Sequence, residues 1–249
     1  MKTLLLAFLI TFMPLTGMAS GSSVHLDEAN IDPTDNASLQ RGAKYFINYC
    51  MGCHSVKYQR YSRMASDLGL SDIQVEDNLI FTTDEDGAPS KVGSLMTINM
   101  SDKYAKAAFG VVPPDLSLVA RSRSPDWIYT YLRSFYLDDS RPMGVNNSLF
   151  KNVGMPHVLW ELQGLQTARY EAHEEGAEKH ISHLELTQKG SLNEAEYNTV
   201  VRDLVNFLAY VAEPTKQKRE SMGIWVILFL IIFTFIAYQL KKEYWKDIH

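Results

Sequence analysis

Two cysteines constrain this chain more than any other feature of its sequence. Cys50 and Cys53 are the only cysteines among its 249 residues, and His54 follows the second one directly. In a Cys-x-x-Cys-His spacing, one helical turn presents both thiols on the same side, where they can add to the two vinyl groups of a porphyrin while the histidine binds the iron. The motif predicts one covalently attached haem c, with His54 as an iron ligand.

Two other uses of a cysteine pair fit the sequence less well. A thioredoxin-type disulfide belongs to a βαβ arrangement, and no such pattern of strands and helices surrounds the motif. A structural zinc site needs four ligands, and the chain has no second cysteine pair. The remaining candidates for zinc ligands are His173, His180 and His183, far along the chain.

Apolar residues are concentrated at both ends of the chain. Residues 1–19 carry Lys2, an apolar run and then small residues, which is the pattern of a secretory signal peptide cleaved after Ala19. Residues 222–240 are uncharged and long enough to cross the hydrocarbon core of a bilayer as a helix. We therefore expect an exported protein that keeps one C-terminal transmembrane helix.

The signal peptide also decides the orientation, because basic residues flank the span on both sides and the positive-inside rule gives no answer. It predicts a periplasmic domain over 20–214, a charged linker over 215–221 and a cytoplasmic tail over 241–249, in an inner-membrane protein. The domain has 17 lysines and arginines against 26 aspartates and glutamates, a formal charge of −9. This charge disfavours nucleic acid, and it either steers a cationic partner or only keeps the domain soluble.

Helical periodicity dominates the predicted domain. Apolar residues at three- and four-residue steps begin after Ser38, the predicted N-cap, and lead into the cysteine motif. A second helix is predicted over 125–136 with Ser124 as its N-cap, and a third over 193–211.

No strand alternation dominates in the remaining segments, which are rich in turn-forming residues. The sequence leaves open whether residues 163–193 form a loop, a helical excursion or a docking surface. The predicted fold class is mainly α with long loops, plus the C-terminal transmembrane helix.

The ligand opposite His54 is not fixed by spacing. A methionine thioether in this position raises the reduction potential relative to a second histidine. Met155, between Gly154 and Pro156, has the most rigid setting, and Met143 lies in a similar Pro-Met-Gly turn. The further candidates are Met96, Met100 and, for a bis-histidine site, His157.

Haem propionates are negatively charged, so an arginine is expected near them. Arg121 and Arg123 follow the stretch Pro113-Pro114-Asp115-Leu116-Ser117 and are the candidates. The alternative is that both are ordinary solvated arginines.

Beyond the haem motif, the order of features resembles the cytochrome c1 family, the haem c subunits of the bacterial ubiquinol-cytochrome c reductase. The resemblance spans nearly the whole mature chain. It is carried by the Cys50–His54 motif, by Pro113–Ser117 with Ala120-Arg121, by Gly154-Met155-Pro156, and by Asn206–Tyr210 leading through Ala212-Glu213-Pro214 into the anchor. Relatives commonly have Asn-Gly shortly before Pro-Pro-Asp-Leu-Ser, where this chain has Phe109-Gly110, so the contacts of that asparagine do not carry over.

The resemblance implies an elaborated class I cytochrome c domain in which the N- and C-terminal helices cross. Gly42 fits this expectation, because a close crossing needs a residue without a side chain. The resemblance also implies that Met155 is the sixth iron ligand, that Pro114 lines the haem edge and that Arg121 pairs with a propionate.

The function implied by the resemblance is electron transfer from a Rieske iron–sulfur protein to a soluble or tethered cytochrome c. The chain would act beside cytochrome b in a dimeric complex and would not be catalytic alone. With both axial positions filled, oxygen or peroxide chemistry is not expected. An acidic patch, made of Glu171, Glu174, Glu175 and Glu178, would attract a cationic acceptor.

Two alternatives stay open at this point. One is an anchored cytochrome c that serves a terminal oxidase or another periplasmic reductase. The other is a haem enzyme or gas sensor with an exchangeable sixth ligand.

Overall fold

The structure is a computed structural model that describes residues 25–84, 86–171 and 180–247. The predicted signal peptide and three glutamates of the acidic patch, Glu174, Glu175 and Glu178, lie outside these residues. Helices dominate the described part, and its strands form short antiparallel pairs. The predicted fold class, mainly α with one C-terminal apolar helix, is confirmed.

The helices are α1 Asn36–Tyr45, α2 Tyr61–Leu68, α3 Asp72–Leu79, α4 Asp102–Phe109, α5 Val119–Ser122, α6 Pro125–Arg133, α7 Trp160–Gln163, α8 Glu194–Ala212 and α9 Lys216–Tyr244. A π-helical turn, Phe46–Cys50, directly continues α1. The strand pairs are β1 Val56–Arg60 with β2 Leu95–Met96, β3 Phe135–Leu137 with β4 Val145–Asn147, and β5 Gly164–Tyr170 with β6 Ile181–Lys189.

The core is built on the crossing of α1 and α8, at Gly42. A Cβ atom placed on Gly42 would lie 2.1 Å from the carbonyl oxygen of Asp203, so only glycine allows this approach. Next to the crossing, the rings of Phe46 and Phe207 pack with their centroids 5.6 Å apart. The expected crossing of the N- and C-terminal helices is present.

The sequence predicted Ser38 as the N-cap of α1, but the N-cap is Asp35. The Asp35 carboxylate accepts a hydrogen bond from the Ser38 backbone N–H at 3.0 Å. Ser38 lies inside the helix, where its hydroxyl donates to the buried carboxylate of Asp203 at 2.7 Å. Arg41 donates to the same carboxylate at 2.6 Å, so a buried charge joins the two crossing helices.

The other two predicted helices are present, one of them shorter than expected. α6 begins at Pro125 with Ser124 as its N-cap, as predicted, but it ends at Arg133 because the next residues pair as β3 with β4. The prediction of a helix reaching Tyr136 is therefore wrong. α8 differs from the predicted range by one residue at each end and begins with a capping box formed by Asn193 and Glu196.

The segment that the sequence left open is a β-hairpin, β5–β6. Its base is tight: a Cβ atom on Gly164 would lie 2.1 Å from the carbonyl oxygen of Gln188, and one on Gly190 would lie 2.4 Å from that of Leu162. The Gln166 side chain donates to the carbonyl oxygens of Arg133 and Phe135 at 3.0 and 2.9 Å, which fixes the hairpin to the end of α6 and to β3.

The predicted linker 215–221 is helical, since α9 starts at Lys216 and runs without interruption into the apolar segment. An ion pair from Arg219 to Glu213, at 2.6 Å, ties its first turn to the end of the domain. The apolar side chains of α9 are exposed, and in length and composition it is the one helix of the described residues that could cross a membrane.

Candidate haem site

The cysteine motif forms a compact turn at the end of α1. The backbone N–H groups of Cys53 and His54 donate to the carbonyl oxygen of Cys50 at 3.0 and 2.9 Å. Cys50 is buried and Cys53 is half-buried, and no disulfide joins them. Both thiols are therefore available for covalent attachment.

The electrostatics of the two thiols argue against a redox-active cysteine pair. Burial, with a smaller effect of the neighbouring Cys53, raises the pKa of Cys50 to about 12, and burial also raises the pKa of Cys53. A redox-active cysteine needs the opposite shift, toward the thiolate. Moreover, no group of three or more metal-ligating side chains is assembled within the described residues, and His173 lies outside them.

The His54 ring is held in the orientation that an iron ligand needs. Its Nδ1 donates to the backbone carbonyl oxygen of Pro114 at 2.7 Å, which leaves Nε2 to bind a metal. The ring is buried, and burial lowers the pKa of His54, so the imidazole is neutral at neutral pH. The carbonyl group of Pro114 thus fixes the orientation of the His54 ring, a contact that is separate from the role implied by the resemblance.

The stretch around Pro114 is itself fastened to the residues that follow His54. The Asp115 carboxylate accepts from the Lys57 N–H at 2.9 Å, and the fully buried Ser117 hydroxyl accepts from the Tyr58 N–H at 3.1 Å. The Leu116 N–H donates to the Ser55 carbonyl oxygen at 2.8 Å. Asp115 and Ser117 therefore position His54 indirectly, a role that the sequence did not reveal because the contacts join segments about 60 residues apart.

Among the candidate methionines that are not fully buried, only Met155 packs against the core that holds Cys50. It packs against that core and also against a small second cluster formed by Phe135, Val145 and Val153, and it accepts a hydrogen bond at Sδ from the Tyr131 hydroxyl at 3.4 Å. Gly154 brings this loop against Val111, whose Cγ2 would lie 3.0 Å from a Cβ atom at that position.

The other three methionines are less well placed. Met143 packs against the second cluster alone. Met96 is fully buried in β2, paired with Val56, which is the position of a core residue. Met100 lies half-buried between β2 and α4.

His157, the candidate for a bis-histidine site, is buried against Phe135. The two rings are parallel within 3°, with their centroids 5.0 Å apart. Burial lowers the pKa of His157 to about 4, so this ring is neutral. Its Nε2 has no hydrogen-bond partner among the described residues, and it therefore belongs in any experimental test of the sixth ligand.

The two candidate arginines lie in different surroundings. Arg123 is placed over the ring of Trp127, which stacks on Tyr131 with centroids 5.0 Å apart, and Tyr131 contacts Met155. Arg121 instead lines a cavity between the start of α1, the end of α8 and the start of α9. Of the two, Arg123 is connected by packing to the Met155 side of the site.

The departure from the family pattern, Phe109-Gly110, has a local structural role. α4 ends at Phe109, and Gly110 closes it in the left-handed conformation with φ of 74°.

The residues present fit a covalently bound haem. Two free thiols lie on one turn, and the adjacent imidazole is oriented through its Nδ1 by a backbone carbonyl, as is usual for a metal-binding histidine. A thioether that packs on the same core is available as a second axial ligand.

Comparison with known proteins gives one consistent family. The model of the cytochrome C1 family matches residues 27–248. Cytochrome c1 of Allochromatium vinosum is 54% identical over 250 residues, covering 100% of both chains. Cytochrome c1 of Rhodospirillum rubrum is 27% identical over 86% of this chain and 83% of its own length.

A further relative carries a different name. A protein of Nitrosomonas europaea named ammonia monooxygenase gamma subunit is 45% identical, over 100% of this chain and 98% of its own length.

These findings agree with the site and with the exposed apolar helix. The chain carries one covalently attached haem c, acts in electron transport in the respiratory chain, and is anchored in the membrane by α9. By its fold, its haem motif and its similarity over its full length, it belongs to the cytochrome c1 family.

Proposed function

We propose that this chain carries single electrons from a Rieske iron–sulfur protein to a soluble or tethered cytochrome c, within a quinol-oxidising complex that also contains cytochrome b. The observation that carries the proposal is the hydrogen bond from His54 to Pro114, next to two free cysteines on one turn. When bound, the haem supplies a reversible one-electron iron couple. The protein's part is to hold it rigidly, because rigid axial ligation keeps the geometry the same in both oxidation states.

Each side chain of the site has a specific task in this proposal. Cys50 and Cys53 hold the cofactor through thioether bonds, and His54 binds the iron through Nε2 while Pro114 fixes its ring. Met155 would supply the second iron ligand from the chain. If His54 and Met155 both bound the iron, it would have no open position for substrate or oxygen, which favours a carrier over an enzyme or gas sensor.

The assignment of Met155 rests on its packing against the Cys50 core and its contact with Tyr131. Substituting Met155, Met143 and His157 separately by alanine tests it. We expect only Met155→Ala to abolish the methionine–iron charge-transfer band and lower the reduction potential. Loss of the band in Met143→Ala, or a change of axial ligation in His157→Ala with Met155→Ala unaltered, would contradict the assignment.

The propionate partner is best tested by comparing the two arginines. The resemblance implies that Arg121 pairs with a propionate, whereas the stacking of Arg123 on Trp127 favours Arg123 as the propionate partner. Removing a cation near a propionate lowers the reduction potential, because it removes a charge that opposes the oxidised, more positive iron. We expect Arg123→Gln to lower the potential more than Arg121→Gln, and the reverse order would favour Arg121.

The proposed partners are tested by isolating the chain from its native membrane in mild detergent. Membership in the proposed complex requires that it copurify with a two-haem cytochrome b and a Rieske protein, at the mass of a dimer. Copurification with a terminal oxidase would support the alternative of an oxidase-linked cytochrome. Copurification with subunits of a monooxygenase would support the function that the name of the Nitrosomonas relative implies.

We also propose that the haem domain lies on the periplasmic side and that its acidic surface attracts a cationic acceptor. The domain's formal charge of −9 supports steering, and steering weakens as salt screens the charges. The rate of oxidation by a basic cytochrome c should therefore fall several-fold between about 10 and 150 mM ionic strength. A flat profile would refute steering, and protease access in sealed spheroplasts would test the side of the membrane.

A further inference from the structure

Two consecutive asparagines, Asn146 and Asn147, lie in β4, at the start of the loop that leads to Met155. Asn147 is fully buried, and Asn146 is nearly so. Burying an amide side chain costs free energy unless its donor and acceptor atoms find hydrogen-bond partners. The partners of these two side chains show what the pair holds in place.

Asn147 joins the first turn of the loop to α6. Its Oδ1 accepts from the backbone N–H groups of Leu149 and Phe150, at 3.0 Å each, which closes the turn that asparagine often forms with the residues after it. Its Nδ2 donates to the carbonyl oxygen of Tyr131 at 2.8 Å. Because the Tyr131 hydroxyl contacts Met155 Sδ, Asn147 holds both the loop and the tyrosine that faces the thioether.

Asn146 joins the later part of the loop to the turn that follows β3. Its Oδ1 accepts from the Asn152 N–H, and its Nδ2 donates to the Asp138 carboxylate, both at 2.8 Å. Asn152 adopts the left-handed conformation, with φ of 63°, which asparagine tolerates better than most residues. The Arg141 guanidinium donates to the side-chain and backbone oxygens of Asn152 at 3.3 and 3.1 Å. The loop is thereby fixed three residues before Met155.

These hydrogen bonds give Met155 what apolar packing does not. Met155 packs against the cluster of Phe135, Val145 and Val153, but apolar contacts are non-directional, and a methionine side chain has three rotatable bonds. Hydrogen bonds require a defined distance and angle. The bonds of the two asparagines act on the loop at both of its ends, so they fix the backbone from which the Met155 side chain extends.

We propose that Asn146 and Asn147 are positioning residues for the sixth iron ligand. They hold the loop so that the Met155 thioether stays bound in both oxidation states. The inference rests on the proposed role of Met155 as that ligand. Loss of either amide loosens the loop, and the thioether then leaves the iron more often.

Cyanide binding to the oxidised, haem-loaded full-length protein tests the proposal. Cyanide binds only after the methionine has left, so its binding rate measures how often the sixth position opens. Asn147→Ala and Asn146→Ala should each increase this rate about tenfold or more, because each removes several hydrogen bonds of a buried amide. Before cyanide is added, the methionine–iron charge-transfer band should persist in both variants, because the ligand itself is unchanged.

Asn206→Ala is the matched control. Asn206 is just as buried, and its Nδ2 donates to the Asp32 carbonyl oxygen and the Ser38 hydroxyl at 2.7 and 3.0 Å, outside the loop. Its melting temperature should fall as in the loop variants, while its cyanide-binding rate should stay close to that of the wild type. An equal increase of the rate in Asn206→Ala would show general loosening of the domain and would overturn the proposal.

Arg141→Gln keeps the test decisive if an asparagine variant does not accumulate, because Arg141 is only half-buried. It should increase the cyanide-binding rate about two- to threefold, whereas Arg169→Gln, in the β5–β6 hairpin, should not change it. Wild-type rates in the asparagine variants and in Arg141→Gln, with the charge-transfer band lost in Met155→Ala, would overturn this proposal alone. If the band survived in Met155→Ala, the assignment of the ligand would fail, and this proposal with it.

Discussion

At the scale of single residues, the contact between Tyr131 and Met155 connects the protein fold to the reduction potential. The Tyr131 hydroxyl donates to Met155 Sδ at 3.4 Å, and burial raises the pKa of this tyrosine, so it stays a donor at every physiological pH. A donor on the thioether withdraws electron density from the sulfur. We infer that this contact raises the potential of the haem, provided that Met155 is the iron ligand.

The variant Tyr131→Phe removes this hydroxyl and little else. A neutral hydrogen bond contributes about 0.5–1.5 kcal/mol, so the potential should fall by an amount on the order of 20–60 mV in a redox titration. Tyr129→Phe is the control, because Tyr129 lies in the same helix with its ring beneath Arg133. Equal potentials in wild type and Tyr131→Phe would show that the hydroxyl does not act on the iron ligand.

At the scale of elements, the crossing of α1 and α8 is the contact most sensitive to size. Gly42→Ala would place a methyl group 2.1 Å from a backbone oxygen of α8, and the helices must separate to relieve it. Such overpacking costs about 1–3 kcal/mol or more, which lowers the melting temperature of a domain of this size by several degrees. Calorimetry of the haem-loaded protein measures this decrease in melting temperature.

Gly93→Ala is the matched control for the crossing, since a Cβ atom at Gly93 meets no other atom within 4 Å. Its melting temperature should remain close to that of the wild type. If Gly42→Ala were equally stable, the two helices would have to be further apart in solution than in this structure.

The elements also show what could be predicted from the sequence and what could not. The turn at Cys50–His54 and the helix that begins after Asn193 are each determined by residues close together in the sequence, so both could be predicted. The hydrogen bonds from His54 to Pro114 and from Tyr131 to Met155 join distant segments, and no local pattern encodes them. The β5–β6 hairpin was missed because most of its β6 side chains are exposed, so it lacks the alternation that marks a half-buried strand.

At the scale of the whole molecule, the haem domain and the anchor are held by different forces. The apolar residues of α9 are exposed within the chain and require lipid around them, whereas α8 contributes some of the most buried side chains of the core, including Leu204 and Phe207. The boundary between the two therefore follows α8 directly, at Pro214.

A chain that ends at Pro214 should consequently fold and bind haem without the membrane. We expect it to appear in the soluble periplasmic fraction with the optical spectrum and reduction potential of the full-length protein, because none of the candidate haem-site residues lies beyond residue 157. A chain that ends at Asn193 is the control: it lacks α8 and should fail to accumulate as a haem protein, since the apolar face of α1 would be left uncovered. If the Pro214 chain lost the high potential, α9 would have to support the haem site itself, and the division into domain and anchor would be wrong.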